Sequence, residues 1–275
     1  YMNQRKLSAE RLLVYIVLLA GGILMTLPLF WAIFTSFKTA AEAMQTPPSL
    51  FPNEWLIDNY KKLFVELNFG TYLRNTLVLV AFSFLGLFIN MMAGYGFAKF
   101  KFKNKEKIFY LVLATMMIPG QATMIPNYLI LNKMGLTNTM AGIILPGLAG
   151  AFTIFLFRQF METIPDDLIE ASRIDGAGNI RIFMQIVAPI CKPIIAVQAI
   201  LGFIHAWNSF LWPLIVANSE DLYTLGVGLS LLKGQNVSDF ALQMTGSSLM
   251  IVPVIILFLF CQKYIVEGFT TSGLK

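Results

Sequence analysis

A chain of 275 residues that is 57% hydrophobic and 13% charged, with a mean hydropathy of +0.69, is too apolar for a water-soluble domain, whose apolar share lies near about 45–50%. It reads as an integral membrane protein. The net charge of +5 follows from the way lysine and arginine are distributed across the membrane, described below, so it gives no support to nucleic-acid binding.

The hydrophobic blocks each approach the ~20 residues that cross a ~30 Å hydrocarbon core. They run over about 12–34, 73–97, 108–131, 140–160, 193–217 and 247–265. The expected fold is therefore all-α, with six transmembrane helices in one transmembrane domain covering 1–275. The first block is too long and apolar for a cleaved signal peptide and reads as a permanent span. Between the first two blocks lies the longest connection, with Pro47, Pro48 and Pro52 and, from Lys38 to Arg74, four basic against four acidic residues. A solvated loop with one short surface helix is expected there.

Spans three to six carry breaks: Pro119 and Pro126, then Pro146 with Gly147 and Gly150, then Pro213, then Pro253. In lipid such breaks persist where neighbouring helices or a water-filled path satisfy the freed backbone groups, which suggests spans bundled around a cavity. With the N-terminus inside, fourteen Lys and Arg fall in cytoplasmic segments and six outside, so both termini are expected in the cytoplasm. The run "AKFKFKNKEK" then faces anionic headgroups. Cys191 and Cys261 fall near the reducing side, and no disulfide is expected.

Between spans four and five, the segment "IPDDLIEASRIDGAGNIRIFMQIVAPICKP" (164–193) breaks the apolar pattern with Asp166, Asp167, Glu170, Asp175, Arg173 and Arg181. A helix can start near Asp167, with Glu170 completing a D-x-x-E capping box, and end at Gly176 in a left-handed C-cap. A second can start at Asn179, present Ile180, Phe183, Met184 and Val187 on one apolar face, and stop at Pro189. Residues 161–192 thus read as a cytoplasmic helix–turn–helix.

That stretch resembles the signature loop of ATP-binding-cassette (ABC) importer permeases, E-A-A-x3-G-x9-I-x-L-P. Here it runs Glu170-Ala171-Ser172, Gly176, Ile186, Ala188-Pro189, with Ser172 for an alanine and Ala188 for the leucine. The resemblance extends over nearly the whole chain through "MIPGQATMIPNYLILNKMGLTNT", "PDDLIEASRIDGAGNIRIF", "WNSFLWPLIV" and "CQKYIVEGFTTSGLK", and is to the carbohydrate-uptake branch, the maltose-type second permease subunit. It implies that the loop forms coupling helices seated on a cytoplasmic ATPase, with Glu170, Ala171, Ser172, Asp175, Gly176, Ala177, Phe183 and Pro189 at that contact. It also implies that the tail 266–275, with Gly268, Thr271 and Gly273, reaches toward the same partner.

The implied assembly has a second permease, two ABC ATPase subunits and an extracytoplasmic solute-binding protein, in a bacterial-type cytoplasmic membrane. Its cargo would be a sugar, or alternatively a polyol phosphate such as glycerol phosphate. ATP and Mg would be cofactors of the partner ATPase, with none in this chain.

The residues themselves point away from catalysis. No G-x-x-x-x-G-K-[ST] is present, and "GAGNIR" lacks both a preceding strand and a third glycine. The sole histidine, His205, has no companion for metal or triad work. Polar residues in spans, costly in lipid, are Asn90, Gln121, Asn127, Gln198, His205, Asn208 and Ser209. Of these, Asn90, Gln121, Asn127, Asn208 and Ser209, with Trp207, are the candidate lining of a substrate path. Indole faces suit sugar rings and amides suit hydroxyls. The competing class, a self-sufficient carrier or channel, would need intramembrane titratable or ion-coordinating groups, and His205 alone offers one.

Overall fold

The computed structural model describes the backbone of residues 9–235 and 239–272, and side chains over 11–234 and 239–262. All its regular elements are helices. We label the principal ones α1 (Ala9–Thr35), α2 (Phe69–Lys99), α3 (Lys105–Thr115), α4 (Gly120–Lys133), α5 (Ala151–Glu162), α6 (Asp166–Ile174), α7 (Lys192–Trp207) and α8 (Phe240–Ser272). Among the described residues, four stretches are long and apolar enough to cross a bilayer: Arg11–Thr35, Phe69–Lys99, Met140–Glu162 and Phe240–Gln262. Two bent helix pairs bring the number to six if each pair is one span.

The break expected in the span at 108–131 is a sharp bend, and a second such bend falls at the start of the span expected at 193–217. α3 and α4 meet at 102°. Pro119 precedes α4 as its N-cap, and a proline both lacks the N–H a continuing helix needs and pushes the residue before it out of the α region. The arm Asn179–Ile190 meets α7 at 82°, at Cys191, with Pro193 in the first turn of α7. α7 itself ends at Trp207, and a separate short helix, Leu211–Val216, continues toward 217. At the C-terminal end α8 begins at Phe240 and continues to Ser272, so most of the expected tail is helical backbone.

The chain forms two compact units. One comprises 1–68 and 229–252. Its connection after α1 holds two short helices, Ala40–Ala43 and Asp58–Glu66, instead of one. It is also more than a solvated loop. Lys38 is 2% exposed, with its ammonium on the carbonyl and hydroxyl of Ser49 and over the Trp31 ring. Asn59 Nδ2 donates to the carbonyls of Ser36 and Lys38 at 3.0 and 2.8 Å. Thr245 Oγ1 donates to the Ser36 carbonyl at 3.1 Å. Lys38, Ser36 and Thr245 are thus paired, as a desolvated interior requires, whereas the buried hydroxyls of Thr35 and Ser248 have no hydrogen-bond partner among the described residues.

The other unit comprises 69–228 and 253–275. Its centre is the crossing of α2 and α5, where Gly86, Asn90 and Gly94 form an i, i+4, i+8 stripe on α2. A Cβ on Gly94 would lie 2.5 Å from Phe157 Cβ, and one on Gly86 2.9 Å from the Leu148 carbonyl oxygen. The small residues let the backbones approach, the usual basis of helix contact in lipid. Between them, Asn90 Nδ2 donates to the Leu148 carbonyl and Gly150 N–H donates to Asn90 Oδ1, both at 3.0 Å. Asn90 therefore satisfies backbone freed by the break at Pro146–Gly150.

Candidate functional site

The 164–190 segment is a helix–turn–helix rooted in the core of its unit. α6 starts at Asp166 with Pro165 as N-cap and no side-chain cap. The expected capping box from Asp167 does not form; instead Asp166 pairs with Lys99 Nζ at 2.7 Å, and the same ammonium donates to the Ile164 carbonyl at 2.6 Å. That pair holds the Asp166 carboxyl below its usual range, through the hydrogen bond first and charge second. Acids in the first turn and Arg173 in the last oppose the helix dipole.

The turn matches expectation. Gly176 has φ +82°, Gly176 N–H donates to the Arg173 carbonyl at 3.0 Å, and Ala177 N–H to the Ser172 carbonyl at 2.9 Å. This is a Schellman closure, which places a left-handed residue where glycine costs least. The substituted signature position Ser172 sends its hydroxyl back to the Leu168 carbonyl at 2.6 Å, so its polarity is absorbed locally.

The second arm starts at Asn179, as expected, but its buried face is Ile182, Phe183 and Val187, with Ile180 and Met184 exposed. A π-helical turn at Phe183–Val187, with i→i+5 bonding, brings Val187 onto the face of Ile182 five residues before it; it does not account for Ile180, which lies ahead of it. The same turn explains why Pro189 does not stop the arm. It falls in the first turn of the segment Ala188–Ile190, where a missing N–H costs little. Ile169, Ile182, Phe183 and Val187 pack with Met91, Tyr95, Phe157 and Met161.

The turn end stays outside that core. Ile174 is 87% and Ile180 78% exposed; Glu170, Ala171, Asp175 and Gly176 are exposed and Ala177 half-buried. Behind this end sits a clasp that sequence reading missed. Buried Arg158 donates from Nη2 to both Glu106 oxygens at 2.9 Å and from Nε to Glu162 at 2.8 Å, with its guanidinium 3.8 Å from the Phe109 ring centre. It ties α3 to α5 next to the loop. In the sequence Arg158 registered only as a topology charge.

A second feature in the same unit is a cleft of about 380 Å³. Of the expected lining, Gln121, Asn127 and Ser209 reach it; Asn90, Trp207 and Asn208 are not among its lining residues. Trp207 is buried at 3% exposure and stacks on Phe203, ring centres 5.5 Å apart. Asn208 Nδ2 donates to the Ile204 carbonyl at 2.9 Å. His205, Ser83 and Trp212 complete the polar side of the cleft, and Trp212 Nε1 is anchored on the Gly142 carbonyl at 3.3 Å. Among the described residues no group of three His, Cys, Asp or Glu is placed to hold a metal.

Comparison with known proteins adds to this geometry. Residues 86–267, which contain the loop and the cleft lining apart from Leu79, Phe82 and Ser83, match the family described as binding-protein-dependent transport system inner membrane component. The chain belongs to this family. As a member of this permease family, it is a protein of the inner membrane.

Related members align nearly end to end with it. The arabinooligosaccharides transport system permease protein AraQ of Bacillus subtilis is 36% identical over 98% of this chain and 97% of its own length. The sn-glycerol-3-phosphate transport system permease protein UgpE of Brucella abortus is 31% identical over 97% and 98%. The diacetylchitobiose uptake system permease protein NgcG of Streptomyces coelicolor is 31% identical over 89% and 82%. A solved bacterial ABC transporter involved in the import of alginate shares the fold at TM-score 0.79, with 24% identity over 92% of this chain and 95% of that one.

Gly268 and Thr271 belong to the helical backbone of α8. Gly273 lies outside the described residues.

Proposed function

We propose that this permease forms half of the transmembrane pathway of an ATP-driven sugar importer. The sugar assignment is supported by relatives named for arabinooligosaccharides, diacetylchitobiose and lactose transport, set against glycerol 3-phosphate in others. Family membership, which is binding-protein-dependent, disfavours the self-sufficient carrier. A second permease, two cytoplasmic ATPase subunits that use ATP and Mg, and an external solute-binding protein complete the proposed assembly. Both termini and the 161–192 loop would face the cytoplasm, in keeping with the lysine and arginine bias.

The observation that carries this reading is the loop's construction: a helix–turn–helix whose root is buried and whose tip is apolar, charged and uncovered. Ile174 and Ile180 at 87% and 78% exposure are flanked by exposed Glu170 and Asp175. Such a tip suits a groove on a partner, apolar at the centre and polar at the rim. Rotation of the ATPases would be passed through α6 and the π-turned arm into α5 and α7, and through the Arg158–Glu106 clasp into α3, as a rigid-body change of access. The test is ATP-dependent uptake by the assembled transporter in vesicles, across a panel of neutral sugars and glycerol 3-phosphate. Accumulation of a neutral sugar that vanishes without ATP supports the reading. Accumulation without an ATPase subunit refutes it.

A further inference from the structure

Polar side chains inside apolar spans are costly unless they are paired or face water or a ligand. The seven such residues divide cleanly. Asn90 pairs with Leu148 and Gly150, Gln198 with Thr153 at 3.2 Å, and Asn208 with Ile204. The side chains of Gln121, Asn127, His205 and Ser209 make no such bond among the described residues, and all four line the same cleft.

Within a mostly apolar lining, the cleft's polar groups come from two parts of the chain. On α4, Gly120, Met124 and Asn127 form an i, i+4, i+7 stripe, with Gln121 beside it. His205 and Ser209 lie at the end of α7 and its break, with Trp212 also in the lining. No Asp, Glu, Lys or Arg is among the lining residues.

We infer that this cleft is a saccharide-contact site supplied by this chain itself, built for an uncharged ring. The inference rests on the sugar-uptake reading and deepens it. Two amides, an imidazole and a hydroxyl both donate and accept, as sugar hydroxyls do, and the indole of Trp212 offers an apolar surface for C–H groups. The volume falls within the roughly 300–1,000 Å³ of small-ligand pockets. A phosphate or carboxylate entering the cleft would give up hydration without meeting a lysine or arginine, His205 being the one lining side chain able to take up a positive charge. The uncapped N-terminus of α4 adds only a fraction of a positive charge, which a hydroxyl oxygen also satisfies. The site therefore favours neutral sugars over glycerol phosphate or acidic sugars.

The experiment uses the complete transporter in nanodiscs and diazirine-tagged arabinotriose, lactose and diacetylchitobiose as probes, with cross-links mapped by mass spectrometry. Cross-links are expected in 120–127 or 205–212 of this chain, suppressed at least tenfold by untagged neutral sugar and unchanged by glycerol 3-phosphate. The Gln121→Leu/Asn127→Leu variant should lose them about fivefold or more while remaining assembled with the second permease and the ATPase subunits. Cross-links confined to the second permease overturn the inference and leave the sugar-uptake reading standing. Equal suppression by glycerol 3-phosphate overturns the uncharged-ligand assignment. If no sugar in a broad neutral mono- to trisaccharide panel stimulates ATP hydrolysis, the sugar-uptake reading itself falls.

Discussion

Gly176 holds a left-handed conformation at φ +82° with open space around it, so its role is conformational, not steric. Any side chain there meets the left-handed penalty of about 1–2 kcal/mol. Gly176→Ala should therefore leave the spans intact and speed amide exchange at Ala177 about 5–30-fold; unchanged exchange would remove the glycine from its assigned role. Asp166 yields a pH prediction. Its carboxyl is held below the ordinary range by Lys99, so the pair's contribution is present above the unfolded value and lost as pH falls through the lower folded one. Exchange at the start of α6 should rise only in acid below the usual carboxylate range, and Asp166→Asn should abolish that pH dependence. Gly176 was legible in the sequence because a glycine flanked by helix patterns has one common use. The Lys99–Asp166 pair was not, because 67 residues separate partners that only the fold brings together.

At the level of elements, the α2–α5 crossing depends on Gly94, whose added Cβ would collide with Phe157. Gly94→Val should cost about 1–3 kcal/mol by overpacking, read as a lower unfolding midpoint of the purified chain. Arg158→Lys removes the two-pronged bond to Glu106 and the contact over Phe109. Because Glu106 is half exposed, the loss should stay near about 1.5–3 kcal/mol, with α3 amides exchanging faster than those of α2. The spans were legible from length and hydropathy, and the two arms of the loop from Gly176 and Asn179. The break at Pro119 was legible but not its sharpness, since a proline in a membrane helix is compatible with either a kink or a sharp bend, and the bend at Cys191 was not legible. The π turn at Phe183–Val187 leaves no composition signal at all.

For the whole molecule, the fold and family follow from patterns that span the chain, and the match over 86–267 takes in three of the four stretches that carried the resemblance and the first part of the fourth. The candidate cleft was half legible: Gln121, Asn127 and Ser209 stood out as polar groups in lipid, yet Asn90 and Asn208 stood out equally. Only the structure shows that Asn90 and Asn208 are bonded within the chain. The central claim, that the 161–192 loop docks an ATPase, turns on the uncovered tip around Glu170, Ile174 and Ile180. It is tested most directly by extracting the tagged wild-type chain and the Glu170→Lys and Ile180→Asp variants from the membrane in mild detergent and identifying what remains bound. The account predicts that wild type retains a P-loop ATPase and a second permease, while the variants keep the permease and lose the ATPase. Retention of the ATPase by both variants would contradict it.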